Sequence, residues 1–341
     1  MFILGIPKEI KENENRVSLV PDDIKKLNNC KIYVEENAGI NSNYTNKDYI
    51  DVGAIICNKI ELYEKANLII KVKEPQESEY KLINNNHIVF TFFHFGGNKN
   101  LLKNMINSKS LCIAYETIKD INNNHPILSP MSRLAGENAV IEANKFYKKD
   151  IEKIVTIIGV GNVGKASLEK CLELGYKNIN LLDINYDNLE KIKKTNNLIN
   201  IYKINTNNLN NILKISNIVI GCIYVDGKET DKLIDDNLLN SMPDNSLFID
   251  VSIDQGGMTS RSKMTTYDNP IYKYNKVNLF CVANIPSIYG NKASKILSNS
   301  IYKYVNEIIN LEKKENILNN NLLKSGINLC DGIIYNKNLI I

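Results

Sequence analysis

Three sets of residues in this chain have the types and spacing to do chemistry. The first is Gly159-Val160-Gly161-Asn162-Val163-Gly164, a G-x-G-x-x-G run. It follows the apolar stretch Ile154–Ile158 and opens the helical stretch Lys165–Leu174. Asp183 ends the next apolar stretch, Ile179–Leu182, about 20 residues on, where a ribose-binding acid belongs. Gly159 permits a tight turn, Gly161 lets backbone approach a pyrophosphate, and Gly164 lets the helix pack on the sheet. The helix N-terminus offers N–H groups and a positive dipole end to phosphates. Asp183 would accept from ribose hydroxyls and repel a 2′-phosphate, so the pattern predicts NAD over NADP. The second set is the arginines. Of 42 basic residues only Arg16, Arg133 and Arg261 are arginine. Where lysine is used nearly everywhere, a retained arginine points to bidentate binding of carboxylate or phosphate. The third set is the histidines, His87, His94 and His125, the side chains that titrate near neutrality.

These groups need elements to hold them. Apolar runs predict strands over Phe2–Gly5, Lys31–Glu35, Leu68–Val72, His87–Phe92 and Leu111–Ala114. A helix over Pro21–Leu27 opens with Pro and acids. Ser129-Pro130 reads as a Ser cap and a first-turn Pro, starting a helix that joins two domains. A second series of strands follows the glycine run over Ile201–Ile204, Ile218–Cys222, Leu247–Val251 and Leu279–Ala283. Ala293–Leu311 has one apolar helical face and is expected to pack back on the first domain. Alternating strands and helices predict an α/β fold of two doubly wound parallel-sheet domains. One is a Rossmann NAD domain, residues 129–291. The other is a Rossmann-like or flavodoxin-like catalytic domain, residues 1–128 plus 292–341, with the active site expected in the cleft between them.

Composition agrees with a globular chain. The 341 residues are 43% hydrophobic and 23% charged, with a net charge of +4 and no basic stripe, so nucleic acid is not an expected partner. No apolar run reaches the length of a membrane helix, and the first residues lack a basic leader. The seven cysteines are scattered, without a C-x-x-C pair. That suits buried thiols in a cytoplasmic protein and predicts no metal site. The excess of Asn, Ile and Lys reads as compositional drift.

Several further segments stand in a telling order: Gly5-Ile6-Pro7-Lys8-Glu9, Glu14-Asn15-Arg16-Val17, Lys71-Val72-Lys73-Glu74-Pro75, Phe90-Thr91-Phe92-Phe93-His94 and Ala114-Tyr115-Glu116-Thr117. Ser129-Pro130-Met131-Ser132, Asp250–Gly257, Thr265–Asp268 and Val282–Pro286 follow. Together they resemble the alanine dehydrogenase family, which includes the N-terminal part of nicotinamide nucleotide transhydrogenase. The resemblance runs from Gly5 to about Gly332, and His94 favours the dehydrogenase branch. It implies an NAD-dependent amino-acid dehydrogenase, acting on L-alanine or, in reverse, on pyruvate and ammonia. It implies that Arg16 and Lys73 hold the substrate carboxylate and that His94 is the general acid/base. Asp254 would lie between substrate and nicotinamide ribose, with Ser132, the glycine run, Asp183, Ile253 and Asn284 lining the cofactor. A homo-oligomer, commonly a hexamer, is also implied. The residue types suit the chemistry. Hydride loss from Cα needs a fixed carboxylate clamp, proton movements need a group titrating near neutrality, and a cationic imine needs a nearby carboxylate.

The ordinary readings stand beside these. Arg16 could be a surface ion pair with Glu12 or Glu14, His94 a satisfied core residue and Asp254 a turn residue. Lys71 and Lys73 alternate at one strand end, and one of them is expected to be solvated. His87 and His125, in Asn-rich loops, are expected to be solvated, and Arg261 to lie on a surface loop. Departures from the family pattern are three. Lys148–Lys153 replaces a Gly-rich loop, Arg133 and Glu137 reverse a charge pair, and Ser287–Lys292 replaces a segment with a second Pro and a Thr. The rival functions are an opine-type or carboxyethyl-amino-acid synthase, joining a 2-oxo acid to a larger amine, and a non-catalytic NAD(H)-binding protein.

Overall fold

The computed structural model describes residues 2–223 and 230–339. In chain order the elements are β1 (Ile3–Ile6), α1 (Pro21–Ile24), β2 (Lys31–Glu35), α2 (Asn46–Ile50), β3 (Ile55–Cys57), α3 (Lys59–Lys65), β4 (Leu68–Lys73), β5 (Ile88–Phe92), α4 (Lys99–Ser108), β6 (Leu111–Ala114) and α5 (Leu128–Phe146). Then come β7 (Val155–Ile158), α6 (Asn162–Glu173), β8 (Ile179–Asp183), α7 (Tyr186–Lys193), β9 (Ile199–Lys203), α8 (Thr206–Leu213), β10 (Ile218–Gly221), α9 (Asp236–Ser241), β11 (Leu247–Asp250), β12 (Ile271–Tyr274) and β13 (Val277–Phe280). The chain closes with α10 (Gly290–Leu311), α11 (Lys314–Leu318), β14 (Ile327–Cys330) and β15 (Ile333–Ile334). It divides into two compact units, Met1–Met131 with Ser287–Ile341, and Ser132–Pro286.

In the first unit the strand order is β15-β14-β6-β5-β4-β1-β2-β3. The strands from β6 to β3 pair in parallel, and read in chain order they run 3-2-1-4-5-6, the Rossmann arrangement rather than the flavodoxin one. The second unit, β12-β13-β11-β10-β7-β8-β9, repeats that order in its six parallel strands. Both faces of each sheet are covered, so their central strands are nearly all apolar. In β4, Leu68, Ile70 and Val72 join one apolar cluster and Ile69 the other. In the second unit Val155 and Ile157 face one cluster, and Ile158 the other.

Some expectations need correction. Ser129 does not cap α5. The helix begins at Leu128, and the Ser129 N–H donates to the His125 carbonyl at 2.8 Å. The helix after Pro21 stops at Ile24. The sheets are mixed at their edges, because β12, β14 and β15 pair antiparallel. α10 does return to the first unit, where Leu297, Ile301, Val305 and Ile308 enter its core. The Asn excess has local uses. Asn58, Asn98, Asn185 and Asn205 cap helices. Asn also supplies eight of the fourteen non-glycine residues with positive φ among those described, a conformation it tolerates better than most.

Candidate active site

In the first unit the chemically capable side chains sit at the carboxyl ends of parallel strands. The loop after β1 carries Arg16, β4 ends at Lys73, and His94 and Glu116 follow β5 and β6. The strand order reverses between β1 and β4, which is where open α/β sheets bind ligands.

Arg16 is 3% exposed. Glu14 Oε1 accepts its backbone N–H at 2.9 Å and its Nε at 2.7 Å, and Glu14 Oε2 accepts Nη2 at 2.6 Å. Nη1 donates to Met131 Sδ at 3.5 Å. The guanidinium is thus held flat by a buried ion pair, not the surface pair that Glu12 or Glu14 suggested. Its loop is stapled to the start of α10. The Asn15 N–H donates to Ser287 Oγ and the Val17 N–H to Ser294 Oγ, both at 2.9 Å.

Neither lysine of β4 is solvated. Lys71 is fully buried, with Nζ 2.9 Å from Glu79 Oε1 and 3.4 Å from Glu9 Oε2. Burial opposes both charges and raises the Glu9 carboxyl. At Lys71 the burial penalty is outweighed by Glu9 and Glu79, and the ammonium shifts upward. Lys73, 9% exposed, lends its charge to the surroundings of His94 and Glu116.

His94 lies in the left-handed region, φ 50° and ψ 40°. Glu116 holds it there: Oε1 accepts the His94 N–H at 2.7 Å and Oε2 the Phe93 N–H at 3.3 Å. The imidazole stacks on Phe92, centroids 5.8 Å apart and planes 9° apart. It is exposed, not a satisfied core residue. Desolvation and then the cations Lys73, Lys11 and Arg16 push it below its ordinary value. Burial likewise raises Glu116, to about 7, against the pull of backbone N–H groups and Lys73.

The second unit repeats the arrangement with other residues. The glycine run joins β7 to α6. Gly159 has φ +89°, and a Cβ there would lie 2.9 Å from the Cys222 carbonyl oxygen. A Cβ on Gly164 would lie 2.0 Å from the Gly159 oxygen, whereas one on Gly161 would meet nothing within 4 Å among the described residues. Gly159 and Gly164 are therefore needed by the protein, and Gly161 borders open space. Gly161 stands at the N-terminus of α6 and, having no side chain, leaves room there for a ligand. The run thus fits a dinucleotide pyrophosphate. Asp183, at the end of β8, accepts the Val160 N–H at 2.6 Å and the Asn185 N–H at 2.8 Å. A carboxylate has further lone pairs for ribose hydroxyls.

Asp254 lies in a 3-10 turn, Val251–Gln255, after β11. It is exposed, and both its oxygens lie 3.4 Å from the Asn284 N–H. Asn284 follows β13 with φ 57°. Asp250 braces this turn, accepting Met258 N–H at 2.7 Å and Ser262 Oγ–H at 2.5 Å. Ile253 is buried, and Ser132 is half-buried on α5. Among the described residues no three His, Cys, Asp or Glu side chains gather as a metal ion would require.

Sequence comparison places both units. The N-terminal domain profile of the alanine dehydrogenase/PNT family matches residues 5–135, and its C-terminal domain profile matches residues 151–337. The chain belongs to the alanine dehydrogenase/PNT family. Within it, a Methanococcus maripaludis protein named alanine dehydrogenase is 32% identical over 350 residues, 97% of this chain and 94% of that one. A Staphylococcus epidermidis alanine dehydrogenase is 32% identical over 354 residues, 98% and 95% of the two chains. A solved L-alanine dehydrogenase superposes with a TM-score of 0.91 at 26% identity, covering 98% of this chain and 97% of its own. A transhydrogenase from Sinorhizobium meliloti, 19% identical, shares the fold with a TM-score of 0.86 over 97% and 99% of the two chains.

The departures from the alanine dehydrogenase/PNT pattern now have places. Lys148 and Lys149, both with positive φ, turn the chain from α5 toward β7. Arg133 pairs with Glu169 on α6, and Glu137 adds a further favourable charge to it. Ser287, in the altered segment, is fully buried against the Arg16 loop and supports it. His87 is a buried core residue rather than a solvated one. Its Nδ1 accepts the Asn84 N–H at 3.0 Å, and Nε2 lies 2.9 Å from the Tyr63 carbonyl. His125 is half-buried, its Nδ1 2.8 Å from the Glu116 carbonyl. Arg261 is a surface residue, paired with Asp236 and lying 4.9 Å over the Tyr274 ring. Glu116 and Glu9 both sit in segments that carry the family resemblance, yet no pattern of types assigns them a task. Only the fold places Glu116 under His94.

Proposed function

We infer that this enzyme is an amino-acid dehydrogenase that oxidatively deaminates L-alanine to pyruvate and ammonia, reversibly, with NAD as oxidant. The observation that carries the reading is the setting of Arg16, Lys73 and His94 at neighbouring strand ends of one sheet, in a chain alike over its length to alanine dehydrogenases. The first unit is the substrate domain and the second the cofactor domain.

NAD, when bound, supplies the two-electron oxidation at the substrate Cα. Gly159, Gly161 and Gly164 with the first turn of α6 hold its pyrophosphate, and Asp183 its ribose hydroxyls. Ser132, Ile253 and Asn284 complete its setting. Arg16 and Lys73 bind the alanine carboxylate and fix the direction of Cα. Glu14 holds the guanidinium plane beforehand, so little ordering remains when the substrate arrives. The depressed His94 imidazole is neutral at pH 7, and its unprotonated nitrogen takes the proton from the water that adds to the imine. In the reverse direction the same nitrogen returns it. Asp254 offsets the positive charge of the imine.

An aqueous, reducing location suits seven unpaired cysteines, so the enzyme is assigned to the cytoplasm, as a homo-oligomer and a hexamer by family likeness. The test is NADH oxidation with pyruvate and ammonia, crossed with lysine and ornithine as alternative amines. L-Alanine is the expected product, with little stimulation by the larger amines. A kcat/KM more than tenfold higher with such an amine, and a secondary amine product, would instead install a synthase. Tight NADH binding without turnover would leave a binding protein.

A further inference from the structure

β4 carries an irregularity where it reaches the site. It pairs with β5 through Ile70↔Phe90 and next through Lys73↔Phe92. Three steps along β4 thus match two along β5, a β-bulge spanning Lys71 and Val72. Bulges re-aim side chains and recur beside active sites. On its other side β4 has lost its neighbour, because β1 pairs only as far as Gly5↔Ile69. Beyond that point Glu9, rather than β1, lies against the Val72 and Lys73 N–H groups. Both are buried, and an unpaired buried N–H is costly.

Glu9 takes the place of the missing strand. Its Oε1 accepts the Val72 N–H at 2.6 Å, and Oε2 lies 3.4 Å from the Lys73 N and 3.4 Å from Lys71 Nζ. Glu9 is itself 9% exposed. Lys71 is anchored in turn by Glu79, which accepts Tyr63 Oη–H at 3.0 Å and the Gln76 N–H at 2.7 Å. A chain of buried polar groups therefore ends on the backbone of the residue that serves the substrate carboxylate.

We propose that Glu9 is a positioning residue for Lys73: its carboxylate caps the bulge of β4 and so aims the Lys73 ammonium at the substrate. The proposal rests on the reading of Lys73 as a carboxylate-binding group. A neutral amide cannot replace the cap. Gln at this position offers one acceptor oxygen and turns an NH2 group toward an N–H and an ammonium.

The experiment compares wild type, Glu9→Gln, Lys73→Ala and the double variant. Glu9→Gln is expected to raise KM for pyruvate at least tenfold and to leave the Kd for NADH within twofold. In the Lys73→Ala background it should change kcat/KM less than twofold, because what it positions is gone. Amide hydrogen exchange at Val72 and Lys73 should quicken at least tenfold. Multiplying effects in the double variant, or unchanged exchange at these two amides, overturns the proposal. Glu9→Asp withdraws the carboxylate by one methylene and reads the same quantities if the Gln variant does not fold. If wild type fails to use pyruvate, the alanine reading falls by itself, and the exchange comparison still decides whether Glu9 is the cap.

Discussion

Gly161→Ala and Gly164→Ala separate what the glycine run does for the protein from what it does for the cofactor. At Gly161, φ is −78°, which alanine adopts, and the added methyl meets none of the described residues within 4 Å. Stability should hold or rise by roughly 0.4–1 kcal/mol through the unfolded chain, a Tm gain of about 1–4 °C. The same methyl stands where a pyrophosphate must approach. Losing one charge-assisted hydrogen bond, roughly 1.5–3 kcal/mol, weakens binding about 10- to 150-fold. At Gly164 the methyl would lie 2.0 Å from the Gly159 oxygen, and α6 or the turn must give way. Overpacking of this kind costs about 1–3 kcal/mol, a Tm loss of about 2–12 °C. Thermal melts with and without NADH, and a titration of NADH fluorescence, measure both. Wild-type NADH affinity in a folded Gly161→Ala protein would refute the assignment of this turn to the pyrophosphate.

His94→Ala should keep the Tm and the Kd for NADH while kcat falls at least about a hundredfold. Because its pKa is lowered, the neutral base persists below the ordinary imidazole range and is lost only as pH falls through the lowered value. The acid limb of kcat/KM for deamination should therefore lie below pH 6.5, the ordinary value, and Lys11→Met, which removes one cation, should move it upward. Asp183→Ser should weaken NAD and improve relative use of NADP, read as the ratio of kcat/KM values. Arg16→Lys keeps the charge but breaks a fork already shared with buried Glu14. A raised KM for pyruvate together with a lowered Tm is expected, and an unaltered KM would confine Arg16 to structure.

What the residues disclosed in advance follows the range of the interactions. Parallel strands such as β2 and β6 are buried on both faces, so a short apolar run marks them, and the runs Lys31–Glu35 and Leu111–Ala114 coincide with the observed strands. β3 has three residues, β12 carries Tyr and Lys at a sheet edge, and β14 carries an Asn between β15 and β6. Their pairing depends on neighbours distant in the chain. The glycine run is local, and its three tasks follow from backbone sterics alone. Arg16 and Glu14 are two residues apart, so their pairing was foreseeable but their burial was not. Lys71 is buried only because Glu9 and Glu79 close on it from either side. His87 enters the core because Asn84 and Tyr63 satisfy both ring nitrogens. Glu116 reaches His94 from the following strand, 22 residues away, and no spacing rule announces such a contact.

The division of the chain also sets the order in which it can be made. Ser132–Pro286 is one uninterrupted stretch, and its sheet is complete when β13 leaves the ribosome. The first 131 residues are not a complete body at birth. Their core lacks Leu297, Ile301, Tyr304, Val305, Ile308 and Ile309 of α10, and β6 lacks its neighbour β14. α10 begins about 160 residues later, about 8–30 s at roughly 5–20 residues per second of synthesis. During that interval the apolar side of β4, β5 and β6 waits without these six α10 side chains, while the later-made unit can already close. The stretch after Pro286 is thus what finishes the first unit, and a chain stalled before α10 would present a finished second unit together with a sheet open to chaperones and to aggregation.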